Sequence, residues 1–187
     1  MPRRIDLVEV GPRDGLQNEP STLSTADKID LIQLLRSAGL RTIEAGSFVS
    51  PRWVPKMADS KAVLSGLGNL EDTALPVLVP NLKGLDDALD AGVKEIAIFA
   101  AASETFSKRN INCSIDESYD LFALVCHAAH QHGLRIRGYL SCVLGCPYEG
   151  SVTPAKVAEL SKRLLELGCY QISLGDTIGI GNPGAAR

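Results

Sequence analysis

Two rhythms of apolar and polar positions alternate along this chain. Short, nearly continuous apolar runs fall at residues 4–10, 41–46, 75–79, 94–100, 134–141 and 170–175. Runs of that length, bounded by breakers, predict strands buried on both faces of a parallel sheet. Between them, apolar residues recur three and four apart, which predicts amphipathic helices. The first helix covers residues 24–38: Ser24 or Thr25 caps it, Ile29, Ile32 and Leu35 form its stripe, and Gly39 ends it. A loop and helix run from Pro51 to about Leu64. Further helices are expected over 82–91, near 116–132 and over 154–167, with Gly92 and Gly168 as stops. Residues 102–113 read as a polar loop.

Six strands and five helices in strict alternation predict parallel strands joined by right-handed crossovers. Two architectures fit: an open doubly wound α/β sheet or a (β/α)8 TIM barrel. No Gly-x-Gly-x-x-Gly follows the first strand, which weakens the dinucleotide-binding version. The units average roughly thirty residues, as barrel units do, and a full barrel needs about 250 residues. On the barrel reading, residues 1–187 are one incomplete TIM-barrel catalytic domain, with about two βα units and a lid loop outside it.

Composition narrows the partners. The chain has 187 residues, 45% hydrophobic and 22% charged, with a net charge of −3. That suits a soluble globular domain with a substantial core. No basic patch stands out and no apolar run approaches membrane-spanning length, so neither nucleic acid nor a membrane is an expected partner. The first strand begins within a few residues of Met1, so the cytoplasm is the expected compartment, or the mitochondrial matrix if a transit peptide has been removed. Five cysteines at irregular spacing, Cys113, Cys126, Cys142, Cys146 and Cys169, read as free thiols in a reducing compartment.

Polar side chains gather where the strands end. The first strand leads into Arg13, Asp14 and Gln17; the second carries Glu44 and Ser47; the fifth carries Arg137, Tyr139 and Ser141; the sixth leads from Ser173 to Asp176 and Thr177. In α/β barrels the C-terminal strand ends carry the chemistry. Arg13 offers a planar donor fork and Asp14 hard oxygen ligands for a divalent cation. Arg-Asp-Gly after a strand is also an ordinary surface turn with a local ion pair, and Asp176 and Thr177 also suit a helix cap. Taken together, the tips favour one convergent polar site. His127, His130 and His132 read as a solvated helix end, opposite the apolar face of Tyr119, Phe122, Cys126 and Ala129. Cys142 and Cys146 read as structural, with Cys146 also placed to line a pocket mouth.

Five segments resemble the 3-hydroxy-3-methylglutaryl-CoA lyase family. They are Glu-Val-Gly-Pro-Arg-Asp-Gly-Leu-Gln-Asn-Glu at 9–19, Ile-Glu-Ala-Gly-Ser-Phe-Val-Ser-Pro-Arg-Trp-Val-Pro-Lys-Met at 43–57, Asn-Ile-Asn-Cys-Ser at 110–114, Gly-Tyr-Leu-Ser-Cys-Val-Leu-Gly-Cys-Pro-Tyr-Glu-Gly at 138–150 and Ser-Leu-Gly-Asp-Thr-Ile-Gly-Ile-Gly at 173–181. The Arg-Asp motif by itself marks a wider superfamily; Gly-Cys-Pro-Tyr-Glu-Gly and Phe-Val-Ser-Pro are more specific to the lyase. The resemblance implies a TIM barrel and a retro-Claisen cleavage of 3-hydroxy-3-methylglutaryl-CoA to acetyl-CoA and acetoacetate, assisted by Mg2+ or Mn2+. It implies Asp14 as a metal ligand and Arg13 facing the thioester carbonyl. A preorganised donor there is worth on the order of 3 kcal/mol. It further implies Asp176 in proton transfer at the hydroxyl, and Glu44 as the carboxylate supporting Arg13 and the metal. Gln17, Ser47, Asn110, Tyr139, Ser173 and Thr177 join Arg13 as the expected substrate contacts. An acyl-CoA is the implied partner, and the resemblance admits a homodimer.

The family's other metal ligands, two histidines and an asparagine, and its catalytic cysteine are expected after Arg187. The 187 residues alone are therefore expected to be inactive. The alternatives are a lyase for a longer-chain 3-hydroxyglutaryl-CoA analogue, or a non-catalytic truncated product serving as an interaction module.

Overall fold

Strand order in the sheet follows the chain, β1-β2-β3-β4-β5, in a computed structural model that describes residues 5–186. The chain divides into two compact units, Met1–Ile96 and Ala97–Arg187.

In the first unit, helix α1 (Thr25–Ser37) begins where a polar pair replaces the missing intrahelical partners. Ser24 Oγ accepts from the Asp27 amide at 3.2 Å, and Asp27 Oδ2 accepts from the Ser24 amide at 3.2 Å. Its core-facing residue is Ile32, fully buried, with Ile29 and Leu35 half-buried on either side. Gly39, at φ +103°, takes the left-handed position that ends the helix. Strand β1 (Gly46–Ser47), helix α2 (Ser60–Leu67), strand β2 (Val77–Leu78) and helix α3 (Leu82–Asp90) follow. β1 and β2 run parallel, with Gly46 opposite Val77 and Ser47 opposite Leu78. Ile43, Val63, Val77, Val79 and Leu85 fill this unit's core.

Three expected elements are reduced here. The strand expected at 4–10 survives as one bridge, Glu9 to Ile43; Arg4 lies outside the described residues. Only Glu9 is laddered, through its amide to the Thr42 carbonyl at 3.0 Å and its carbonyl to the Glu44 amide at 2.8 Å. Ile5 and Leu7, expected in the core, are exposed. The strands expected at 41–46 and 75–79 shorten to β1 and β2 plus a bridge from Thr42 to Ala74. Pro76 explains the gap: it has no N–H to give the ladder, although its carbonyl still accepts from the Ala45 amide at 3.0 Å.

In the second unit lie most of β3 (Glu95–Ala101), then α4 (Glu104–Ile111), α5 (Ile115–Gln131), β4 (Arg135–Ser141), α6 (Pro154–Glu166) and β5 (Gln171–Leu174). The expected polar loop at 102–113 is largely α4. Ser103 caps it, accepting from the Phe106 amide at 3.1 Å, and Asn112 closes it at φ 56°. Ser114 and Glu117 then form a reciprocal cap that starts α5 at once. Tyr119, Phe122, Cys126 and Ala129 are buried on α5, while all three histidines near its end are exposed. Burying Phe122, whose ring centroid lies 5.9 Å from that of Phe99, stabilises the fold by about 2 to 3 kcal/mol. Tyr119 donates its hydroxyl to the Leu160 carbonyl at 2.8 Å, fixing α6 against α5. β4 and β5 are parallel and in register from Arg137–Gln171 to Leu140–Leu174.

Candidate active site

The candidate site begins at the turn Gly11–Gly15. This segment forms one π-helical turn in which the Val10 carbonyl accepts from the amides of Arg13 at 3.1 Å, Asp14 at 2.7 Å and Gly15 at 3.4 Å. Pro12 has no N–H to place in that turn, and the Gly11 amide donates to Glu9 Oε1 at 2.6 Å. A Cβ on Gly11 would stand 2.8 Å from that oxygen, so a larger residue there would shift the Glu9 carboxylate.

The turn aims Arg13 inward. Its Nε donates to Glu44 Oε1, and its Nη1 donates to Asp14 Oδ1 at 2.7 Å. Glu44 is fully buried and Arg13 nearly so, whereas half of the Asp14 side chain is exposed. One guanidinium thus sits between a buried carboxylate and a solvent-facing one. Burial makes the inner pair mutually dependent, since either charge left alone would carry a large desolvation penalty. The guanidinium plane is held from its own strand tip and from Glu44 in the next segment, so it is preorganised.

Other expected residues of this unit lie near by in the chain. Ser47 is buried, and its Oγ accepts from the Val49 amide at 3.2 Å. Gln17 is half-buried one turn after Asp14, and the neighbouring Asn18 donates Nδ2 to the Asp14 carbonyl at 2.8 Å. Gln17 and Asn18 line a cavity of about 180 Å³ with Trp53, Val54, Pro55 and Lys56.

The second unit holds the rest. Tyr139 and Ser173 are opposite partners on β4 and β5, half-buried on one face of the sheet. Two residues back on the same face, Arg137 donates Nη1 to Gln171 Oε1 at 2.8 Å and lies 5.6 Å from the Tyr139 ring centre. Asp176 and Thr177 begin the segment after β5. Asp176 accepts from the Ile180 amide at 3.2 Å and the Gly181 amide at 2.8 Å, and Thr177 Oγ1 accepts from the Cys142 amide at 2.7 Å. Both carboxylate oxygens of Asp176 therefore carry a backbone donor and keep lone pairs for a further partner. Asn110 stands apart, exposed near the end of α4.

The donor set does not complete a metal site. Among the described residues no group of three or more His, Cys, Asp or Glu side chains converges to hold an ion. Asp14 supplies one carboxylate, and one of its oxygens already accepts from Arg13. Magnesium and manganese demand a fuller oxygen shell than that.

Several positioning residues carried no sequence motif. Lys28 is buried, donating to the Lys56 carbonyl at 2.6 Å and to Asp59 Oδ1 at 2.5 Å. Ser60 Oγ donates to the Met57 carbonyl at 2.7 Å and accepts from the Ser47 amide at 3.0 Å, which fixes the β1 tip. Gly46 is the available signal: a Cβ there would meet Ser60 Oγ at 2.5 Å.

The chain is similar to known proteins over its whole length. A mitochondrial hydroxymethylglutaryl-CoA lyase of Macaca fascicularis is 57% identical over 187 residues, all of this chain and 58% of that protein. The crystal structure of hydroxymethylglutaryl-CoA lyase from Pseudomonas aeruginosa superposes with a TM-score of 0.96 at 57% identity, over 100% of this chain and 62% of that one. An HMG-CoA lyase from Acenitobacter baumannii, in complex with coenzyme A and 3-methylmalate, matches with a TM-score of 0.90 at 37% identity, over 96% of this chain and 59% of that one. The chain thus spans less than two thirds of the length of these relatives. The fold class is the TIM barrel, one of the two architectures that the strand–helix alternation admits and the one that the resemblance implies. Residues 4–187 match the HMGL-like family, and the chain belongs to it.

Proposed function

We propose that this chain carries the electrophilic end of a lyase that cleaves 3-hydroxy-3-methylglutaryl-CoA to acetyl-CoA and acetoacetate. The observation that carries the reading is the Asp14–Arg13–Glu44 chain, a preorganised guanidinium flanked by one exposed and one buried carboxylate. Retro-Claisen cleavage leaves an electron pair on the carbon α to the thioester carbonyl, and the charge spreads to the thioester carbonyl oxygen as an enolate. Arg13 places fixed N–H donors where that oxygen becomes negative. Glu44 holds the guanidinium plane and offsets its charge, so Arg13 need not reorganise during the step.

The tertiary hydroxyl must lose its proton as the bond breaks. Asp176 is the carboxylate assigned to take it, oriented by the Ile180 and Gly181 amides. Ser47, Asn110, Tyr139, Ser173, Thr177 and Gln17 are assigned to contact the acyl-CoA. A divalent ion, Mg2+ or Mn2+, would polarise hydroxyl and carboxylate when bound; from this chain Asp14 would supply one oxygen.

The test uses the product of the complete reading frame, purified and supplied with Mg2+. Acetyl-CoA and acetoacetate released from 3-hydroxy-3-methylglutaryl-CoA support the assignment. Preferential cleavage of a longer-chain 3-hydroxyglutaryl-CoA thioester would move the substrate but keep the reaction. Cleavage of neither thioester would overturn it.

A further inference from the structure

The segment Gly-Cys-Pro-Tyr-Glu-Gly at 145–150 takes no part in the proposed reaction, yet it is a built feature. It is a closed turn. The Cys146 amide donates to the Gly150 carbonyl at 2.7 Å, and the Gly150 amide donates to the Cys146 carbonyl at 3.0 Å. Gly150, at φ +76°, takes the left-handed position that closes the turn. The Tyr148 amide donates to Cys146 Sγ at 3.4 Å, bracing the turn from within.

Three side chains of this turn reach α4. Cys146 donates its thiol to Ser103 Oγ at 3.0 Å, the same hydroxyl oxygen that caps the helix. Glu149 Oε1 accepts from the Thr105 amide at 2.6 Å. The Tyr148 ring centre lies 6.3 Å from that of Phe106 and 4.2 Å from the Arg109 guanidinium carbon. The first amides of a helix have no partner within it; Ser103 takes that of Phe106, and Glu149 takes that of Thr105 from 44 residues away. A carboxylate there also faces the positive end of the helix dipole. Contacts at Thr105, Phe106 and Arg109 hold α4 from its first turn to its last. Asn110 directly follows Arg109 and, four residues after Phe106, shares its face.

We propose that Tyr148 and Glu149 are positioning residues: the turn at 145–150 clamps α4 and sets Asn110 where it meets the acyl-CoA. The proposal rests on the assignment of Asn110 to the substrate. Neither clamp residue need touch the thioester, because each acts through the helix. Cutting the clamp leaves α4 its own Ser103 cap and the bond from the Ile115 amide to Glu104 Oε2 at 3.2 Å. The variants therefore misplace Asn110 without unfolding the helix.

Steady-state kinetics on 3-hydroxy-3-methylglutaryl-CoA, with the product of the complete reading frame and Mg2+, tests this. Glu149→Ala and Tyr148→Ala should each raise KM about fivefold, the worth of one net hydrogen bond, and leave kcat within about twofold. Glu149→Gln keeps an acceptor oxygen for the Thr105 amide, and Tyr148→Phe keeps the ring; both should restore the wild-type KM. Asn110→Ala should raise KM by itself, and adding Tyr148→Ala or Glu149→Ala to it should raise KM no further. With wild type active, the clamp is overturned by a fall in kcat at unchanged KM or by conservative variants as impaired as the alanines. Effects that add in full to that of Asn110→Ala, or an Asn110→Ala enzyme with the wild-type KM, also overturn it. Wild type inactive on this thioester overturns the functional reading itself, and the proposal with it.

Discussion

Arg13 donates through Nε to Glu44, a carboxylate with no exposed surface at all. Removing one charge of such a pair leaves the other buried without compensation, which typically costs about 3 to 5 kcal/mol. Glu44→Ala should therefore lower unfolding free energy by about that amount, measured by urea denaturation of the chain. A change of only a few tenths would show that the pair does not hold the turn.

Acid should reveal a second ion pair, between buried Lys28 and half-buried Asp59. Burial raises the Asp59 carboxyl, but hydrogen bonds from Lys28 and Thr25 more than offset this, so it titrates below its ordinary 3.8. A carboxyl depressed in the folded state stabilises above its unfolded value and loses that contribution as pH falls through its folded value. Asp59→Asn should thus be less stable than wild type at neutral pH, and the gap should narrow below pH 3.8. Denaturation across that range checks it; a gap that widens on acidification contradicts it.

Close approach at Gly46 gives a steric prediction. A Cβ there would meet Ser60 Oγ at 2.5 Å and Ser60 Cβ at 2.8 Å, displacing the residue that holds the Ser47 amide. Gly46→Ala should destabilise by about 1 to 3 kcal/mol. Gly15→Ala, where a Cβ meets nothing within 4 Å, serves as the control and should sit near wild type.

Metal affinity should expose how little of a cation site these residues supply. With Asp14 the single carboxylate offered to an ion, the chain should bind Mn2+ with a dissociation constant of about 1 mM or weaker. Calorimetric titration checks this, and tight binding abolished by Asp14→Ala would reveal ligands the geometry has not identified.

Much of the fold was legible because its signals are local. Ser24 announces a helix start, and Gly39 and Gly168 announce ends; the Ser114–Glu117 cap was equally local but went unread. The misses have local causes too. Pro76 sits in an apolar run that reads as strand, yet withholds one ladder donor. Helix α4 hides in a polar stretch whose cap, Ser103, looks like loop composition. At the site, Arg13, Asp14 and Glu44 were identifiable from residue type and position at strand tips, and the structure joins them directly. Lys28 and Ser60 were not, because a buried lysine or serine is defined by partners far along the chain, Asp59 and Ser47 respectively.

The most direct test of the account compares wild type with Arg13→Lys, both expressed from the complete reading frame, for cleavage of 3-hydroxy-3-methylglutaryl-CoA. Lysine keeps the charge but loses the planar fork that joins Glu44 and Asp14. The account predicts active wild type and a loss in turnover of about a hundredfold or more in the variant, with the folded fraction unchanged. Equal turnover in the two proteins would contradict it.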